Sequence, residues 1–279
     1  MSGYNLRAVL SDKCNYHCVF CSHDFNRCRG LDISPVFLKE CMNVFAGLGG
    51  KKVTYTGGEP LIYPALYDVM RHAKSLGLAN AITTNGSLLP LQHEEFYSLA
   101  DTLNISVPSF NPKDYHRLTG SNTALYDIID SAVKASEHGL RVKINMVYTG
   151  QNAGIIHDMA GILSPHGIII KLMNDMIADS EYYREFLEFA EGFRNDKRVE
   201  IESARNPEHN MCRNCNIPHP TGCPSCRSIW LYPDGRITLC PFDGTGSFLE
   251  AGRDVILRHI SGLIGSQEGR LKHGQENYS

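Results

Sequence analysis

The chain alternates short apolar runs with longer stretches whose apolar residues recur three and four apart, the signature of strands separated by amphipathic helices. Leu6 to Leu10 predicts a strand, Ser34-Pro35 an N-cap with proline at the first helical position, and Val36 to Phe45 the helix that follows. Val53 to Tyr55 is a second strand, Ala65 to Ser75 a helix that stops at Gly77, and Ala79 to Thr83 a third strand. After the turn Thr84-Asn85-Gly86 come a helix over Leu91 to Ala100 and a strand over Leu103 to Val107. Leu125 to His138 predicts a helix ending at Gly139, Arg141 to Tyr148 the fifth strand, Ile155 to Leu163 a helix, and Ile168 to Met173 the sixth strand. Six β-α repeats predict an α/β fold, a parallel sheet with right-handed crossovers curved into a partial (β/α)6 TIM-type barrel. Chemistry in such barrels sits at the C-terminal strand ends. Cys14, Gly58, Asn85, Ser106, Asn145 and Met173 all fall there.

The pattern changes after a further helix, Tyr182 to Phe193. Residues 205–226 carry Pro207, Pro218, Pro220, Gly222 and Pro224, which exclude a packed helix or central strand. The same stretch holds Cys212, Cys215, Cys223 and Cys226, so a bound metal is expected to replace apolar burial. Trp230 to Tyr232 and Arg236 to Leu239 flank Pro233-Asp234-Gly235, a hairpin signal. Val255 to Ile264 predicts a terminal helix, followed by a polar tail. The expected organisation is a barrel domain over 1–195 and a small cysteine-rich domain over 196–279.

Composition narrows the function classes. A chain of 279 residues with 42% hydrophobic side chains can bury about three quarters of its unfolded surface. A net charge of −3 gives no electrostatic reason to bind nucleic acid or anionic membrane. No apolar run approaches the ~20 residues needed to span a bilayer, and the first residues do not read as a signal peptide. A cytoplasmic protein is expected, in which ten cysteines bind metal more readily than they form bridges.

Cys14, Cys18 and Cys21, in C-N-Y-H-C-V-F-C, follow the first strand at CxxxCxxC spacing with no fourth cysteine close by. Zinc asks for four ligands, with a second CxxC near at hand, and Cys28 has no such partner. A cubane 4Fe–4S cluster that only carries electrons gives each iron its own cysteine. Three ligands leave one iron open to a small chelating molecule. After the second strand, Gly57-Gly58-Glu59-Pro60 places adjacent glycines where a ligand can approach main chain, although Gly-Gly alone is more often a turn.

Together, the three cysteines, Phe20 before the third of them, and the GGE segment resemble the radical SAM superfamily. The resemblance implies a 4Fe–4S cluster on Cys14, Cys18 and Cys21 whose open iron chelates S-adenosylmethionine (SAM), with Gly57, Gly58 and Glu59 at its amino group. It implies reductive cleavage of SAM to a 5′-deoxyadenosyl radical that takes a hydrogen atom from a substrate. A reductant such as flavodoxin or ferredoxin would supply the electron.

Later residues narrow the resemblance. Cys223, Cys226, the Asp234-Gly235 hairpin and Cys240 match in spacing the auxiliary-cluster (twitch-like) segment of the family member that cyclises GTP in molybdenum cofactor synthesis. Leu6-Arg7, Asp12-Lys13-Cys14-Asn15, Leu103 to Ser106, Asn111-Pro112, Thr119-Gly120 and Val142 to Asn145 extend the likeness. By carry-over, Thr84, Asn85, Ser106, Asn145 and Met173 line the SAM pocket, while Arg7 and Lys143 face the substrate. Cys215, Cys223, Cys226 and Cys240 would hold a second 4Fe–4S cluster. Zinc is the rival there, and Cys212 competes with Cys215 as fourth ligand. Cys41 reads as a small buried hydrophobe and Cys28 as a loop residue with a remote claim to hydrogen-atom donation.

Departures argue against the cyclase itself. The two arginines that follow its second auxiliary cysteine correspond to Ser228 and Trp230, its lysine after GGEP is lost in Leu61-Ile62-Tyr63-Pro64, and a sixth-strand arginine is replaced near Ile168. Pro108 stands where relatives often carry aspartate, and the tail ends Asn277-Tyr278-Ser279 instead of Gly-Gly. A triphosphate carries about four charges, and each charge-assisted bond is worth roughly 1.5–3 kcal/mol. Losing several removes most affinity for it. The expected substrate is a small polar nucleotide or sugar derivative in cofactor or specialised-metabolite biosynthesis. The alternatives are a peptide-modifying maturase of the twitch/SPASM kind and, remotely, a noncatalytic iron–sulfur or zinc protein.

Overall fold

The computed structural model describes residues 4–21, 30–174, 180–202, 228–238, 247–248, 256–258 and 260–262. The chain divides into two compact units, one of Met1–Lys13, Cys28–Asn80 and Met211–Ser279, the other of Cys14–Arg27 and Ala81–Asn210. The expected boundary at 195/196 stands just before residues 203–227, which lie outside the described residues.

In the first unit β1 (Asn5–Val9) is central. It pairs in parallel with β2 (Lys52–Thr56) on one side and with β8 (Ser228–Leu231) on the other. β8 turns through Tyr232 to Gly235 into β9 (Arg236–Thr238), which is antiparallel to it and to β10 (Ser247–Phe248). Apolar residues alternate along β1 because one face is covered: Leu6 and Ala8 are fully buried, as is Val53 beside Leu6. α1 (Pro35–Gly47) packs on β1 and on α2 (Leu66–Ser75). Its start is fixed as the sequence predicts, by Ser34 accepting the Phe37 N–H and by Pro35 at the first turn. Leu38, Cys41, Met42 and Phe45 fill the interior, so Cys41 is the buried hydrophobe expected. Residues 256–258 and 260–262 are helical, within the predicted terminal helix.

β3 (Ala79–Thr84) carries the chain into the second unit, whose strands run in the order β3, β4 (Thr102–Ser106), β5 (Arg141–Val147), β6 (Ile169–Met173) and β7 (Val199–Glu202). Every pairing from β3 to β7 is parallel. Leu103, Ile105, Val142, Ile144, Met146, Ile170 and Leu172 are all fully buried. α5 (Leu125–Glu137) packs on β5 and α6 (Ala153–Leu163) on β6. Period-two alternation sends Asn104, Ser106, Lys143, Asn145, Lys171 and Met173 to the other face. α7 (Ser180–Glu191) lies between β6 and β7 in the chain.

Three elements depart from the sequence reading. The helix expected from Leu91 is a 3-10 turn, Leu89–Leu91, followed by α3 (Glu94–Leu99), because extended Gln92 and His93 interrupt it. α4 (Pro112–Thr119) was hidden by composition: only Tyr115 and Thr119 are buried, so it lacks apolar periodicity, yet Asn111 caps it and Gly120 ends it at φ 62°. β7 is four residues long, too short for a period to emerge. Among the described residues no helix is long and apolar enough to cross a membrane.

Ile144, on the central strand of the second unit, tests this packing. Ile144→Ala is expected to cost about 2–5 kcal/mol, read as a fall in urea midpoint with unchanged slope.

Candidate active site

Predicted site residues fall in both units, and each unit has its own local geometry. In the first, β1 passes into Ser11-Asp12-Lys13, where the chain is held from two sides. Ser11 forms an antiparallel bridge with Asp32, and its Oγ donates to Asp32 Oδ1 at 2.7 Å. Lys13 Nζ pairs with Asp32 Oδ2 at 2.8 Å. Burial alone would raise the Asp32 carboxyl, but the hydrogen bonds from Lys13 and Ser11 outweigh it and hold the pKa below its usual value.

The GGE segment docks onto this stretch through main chain. Gly58 N–H donates to Ser11 O and Glu59 N–H to Lys13 O, both at 2.8 Å. The physical demand for glycine falls on Gly57: its φ is 142°, and a Cβ there would lie 2.4 Å from Ser11 O. The atom that a Cβ at Gly57 would meet is backbone of β1's own extension. Glu59 is fully buried, and its Oε1 accepts the Leu61 N–H to cap the turn Pro60–Ile62.

On the same unit, register sets Arg7 beside Trp230 and Asn5 beside Ser228. Arg7 Nε donates to Ser228 Oγ at 3.3 Å, and its guanidinium lies 5.1 Å from the Trp230 ring centroid. Burial lowers the Arg7 pKa from the ordinary guanidinium value. Trp230 Nε1 is buried and has no hydrogen-bond partner among the described residues.

In the second unit the three thiols lie on a loop that α4 holds. His17 N–H donates to Thr119 O at 3.1 Å and Val19 N–H to Leu118 O at 2.9 Å. The hydroxyls of Tyr16 and Tyr115 meet at 3.1 Å in the interior. Gly120 makes this approach possible, since a Cβ at that residue would stand 2.9 Å from His17 O. Cys14 Sγ accepts the Tyr16 N–H at 3.4 Å and faces Asn85 Nδ2 at 4.0 Å. Asn85 also donates to Asn15 Oδ1 at 2.9 Å, and Asn15 donates to Ser87 Oγ at 2.8 Å. Asn85 is therefore joined to the cysteine loop, as its strand-end placement suggested. Asn15, named above only for its family likeness, and Ser87, which carried no sequence signal, complete the network.

Cys14 and Cys18 are half-buried and Cys21 is exposed. Burial, and then the charges of Cys21 and Cys14, push the Cys18 thiol up to about 11. Among the described residues no three His, Cys, Asp or Glu side chains converge on a point that one ion would occupy. One loop that carries three thiols, with the Tyr16 N–H aimed at the Cys14 sulfur, fits an iron–sulfur cluster. Phe20 is 54% exposed beside the third cysteine.

The strand-end residues divide by face. Ser106 and Asn145 are register partners, and Asn145 Oδ1 is buried with no hydrogen-bond partner among the described residues, an acceptor suited to a ligand N–H. Lys171 is Asn145's neighbour on β6, and Met173 follows on the same face. Thr84 shares the face of Ile105; its buried Oγ1 accepts the Gly86 N–H and shapes the turn. Lys143 is ion-paired with Glu200, and Lys171 with Glu202. Both glutamates lie on β7, so sequence reasoning missed them; Val199-Glu200-Ile201-Glu202 is too short for its alternation to stand out as a period. Cys28, Cys212, Cys215, Cys223, Cys226 and Cys240 lie outside the described residues.

Comparison with known proteins bears on the family and the fold. The family described as the Radical SAM superfamily matches residues 8–160. The GTP 3',8-cyclase of Aquifex aeolicus (strain VF5) is 27% identical over 276 residues, covering 89% of this chain and 85% of its own. A probable GTP 3',8-cyclase of Thermoplasma volcanium is 30% identical over 220 residues, covering 75% of this chain and 67% of its own. Among solved structures, Streptococcus suis SuiB bound to precursor peptide SuiA aligns with a TM-score of 0.68 at 18% identity, over 91% of this chain but 64% of SuiB. Native anSMEcpe with bound AdoMet aligns with a TM-score of 0.62 at 16% identity, over 99% of this chain and 83% of its own. These likenesses give the fold, the partial barrel expected.

Gly120→Ala is expected to loosen the cysteine loop from α4. Left-handed backbone costs a residue with a Cβ roughly 1–2 kcal/mol, so protection of the His17 and Val19 amides should fall about tenfold in hydrogen exchange.

Proposed function

The chain belongs to the radical SAM superfamily of enzymes, and we propose that it applies that chemistry to a small polar substrate, a nucleotide or sugar derivative without a triphosphate. The observation that carries the substrate reading is the surroundings of Arg7. Where resemblance to the GTP cyclase would put two arginines, a hydroxyl and an indole stand, and both engage Arg7 itself. A single guanidinium stacked on an indole can meet one anionic group or a ring edge. It cannot balance about four phosphate charges.

In this reading Cys14, Cys18 and Cys21 hold the 4Fe–4S cluster, and Phe20, Gly57, Gly58, Glu59, Thr84, Asn85, Ser106, Asn145 and Met173 belong to the SAM site. When bound, cluster and SAM supply reductive cleavage of the sulfonium and removal of a hydrogen atom from the substrate. The chain's own residues hold and orient. Gly58 and Glu59 have already committed their N–H groups to Ser11 and Lys13, so what this segment offers a ligand is carbonyl oxygen, the acceptor an ammonium requires. Asn145 Oδ1 is a second acceptor already stripped of water. The N–H groups aimed at Cys14 Sγ stabilise added negative charge on a bound cluster.

Cys215, Cys223, Cys226 and Cys240 are assigned to an auxiliary 4Fe–4S cluster that binds substrate or accepts an electron, with a flavodoxin- or ferredoxin-type protein as reductant. The sequence spacing of Cys223, Cys226 and Cys240 supports this assignment, with Cys212 the rival of Cys215 for the fourth place.

Anaerobically reconstituted wild type should hold about eight irons and the Cys14→Ala, Cys18→Ala, Cys21→Ala variant about four. Only the wild type should form 5′-deoxyadenosine from SAM under reduction. About four irons plus zinc in the wild type would make the late cysteines structural. Formation of a cyclised product from GTP would overturn the substrate reading.

A further inference from the structure

We propose that Glu200 and Glu202 set substrate specificity: by neutralising Lys143 and Lys171 they close this face of the second unit to polyphosphates and leave it for neutral, hydroxyl- or amide-bearing groups. The inference rests on the proposed function, in which this face takes part in binding.

Four charges are arranged on one side of three neighbouring strands. Lys171 has Asn145 as its register partner on β5 and Glu200 as its partner on β7, and Glu202 is level with Met173. The lysines are the more enclosed members, with side chains 12% exposed for Lys143 and 17% for Lys171, against 38% and 42% for their glutamates. Glu200 also has Arg141 at 3.8 Å, but that arginine stands at the start of β5 and is 62% exposed. Burial would raise the Glu200 carboxyl; its hydrogen bond to Lys143 and the charges of Lys143, Lys171 and Arg141 reverse this and keep it ionised at neutral pH.

Two enclosed lysines on the face of Ser106 and Asn145 would otherwise make an anion site. The net charge of the quartet is instead zero, +2 from Lys143 and Lys171 and −2 from Glu200 and Glu202. An arriving polyphosphate would have to displace carboxylates that already satisfy the ammonium donors, and would meet their repulsion at close range. A hydroxyl or amide meets no such opposition. The uncharged donors and acceptors on this face, Asn104, Ser106 and Asn145, suit it. This observation is independent of Arg7 and Trp230 and concerns different residues on a different unit.

The test compares binding of inorganic tripolyphosphate to reconstituted wild type and to the Glu200→Gln, Glu202→Gln variant by titration calorimetry at low and physiological salt. The amides keep shape and remove both negative charges. The expected result is at least tenfold tighter binding by the variant, weakened by salt and abolished by adding Lys143→Gln and Lys171→Gln. Wild-type affinity in a variant that melts and binds SAM like the parent would overturn the proposal and leave the ion pairs purely structural. Should the double variant unfold, Glu202→Gln alone, at the more exposed of the two positions, must still show a gain; its absence is equally fatal. Formation of 5′-deoxyadenosine from SAM by the wild type is followed in parallel. Its loss would count against the proposed function without touching the phosphate comparison.

Discussion

Parallel pairing in fixed register is the constraint on which the rest of this protein depends. Once β4, β5 and β6 align Ile105 with Ile144 and Ile144 with Ile170, the covered face is apolar and the opposite face must receive the intervening side chains. Ser106, Asn145 and Lys171 stand in a row because their apolar neighbours do. A one-residue slip would bury the polar row and expose the core, so the free energy that fixes the core fixes the polar row with it. No separate device is needed to align residues that lie far apart in the chain.

Strand register does not position the two loops that follow β1 and β2. Close approach of main chain does, at residues where a Cβ would intrude. Gly57 lets the end of β2 rest against Ser11, and Gly120 lets the end of α4 rest against His17. In both places hydrogen bonds between backbone groups join the segments, so the geometry is insensitive to side-chain rotamers. Asp32 adds a side-chain tie to Ser11 and Lys13, immediately before the first cysteine of the motif.

The sequence was most informative where a single physical rule acts alone. Strands such as Arg141–Val147 declare themselves through strict alternation, and α1 through a capping serine and a proline. It was least informative where structure is made by contact between distant segments. α4 is polar nearly throughout and owes its place to a cap at Asn111 and to the cysteine loop lying on its C-terminal end. β7 is too short to show a period, and with it the partners of Lys143 and Lys171 went unseen. Thr84 illustrates the finer limit. It stands at a strand end, and register turns its side chain to the side of Ile105, where its Oγ1 accepts the Gly86 N–H while its main chain leads into the Asn85 turn. Motif spacing identifies a segment, and only the pleat decides which of two neighbours faces a ligand.

The backbone ties of the GGE segment have a thermodynamic consequence. Gly58 and Glu59 are bonded to Ser11 and Lys13 within the folded chain itself, so their conformational freedom is lost at folding and not when a ligand arrives. Ordering a flexible segment on association costs free energy that is subtracted from the affinity. Here that subtraction has been made in advance. A ligand gripped by these carbonyls should therefore bind with little ordering penalty, its heat of association reflecting contacts formed and water released.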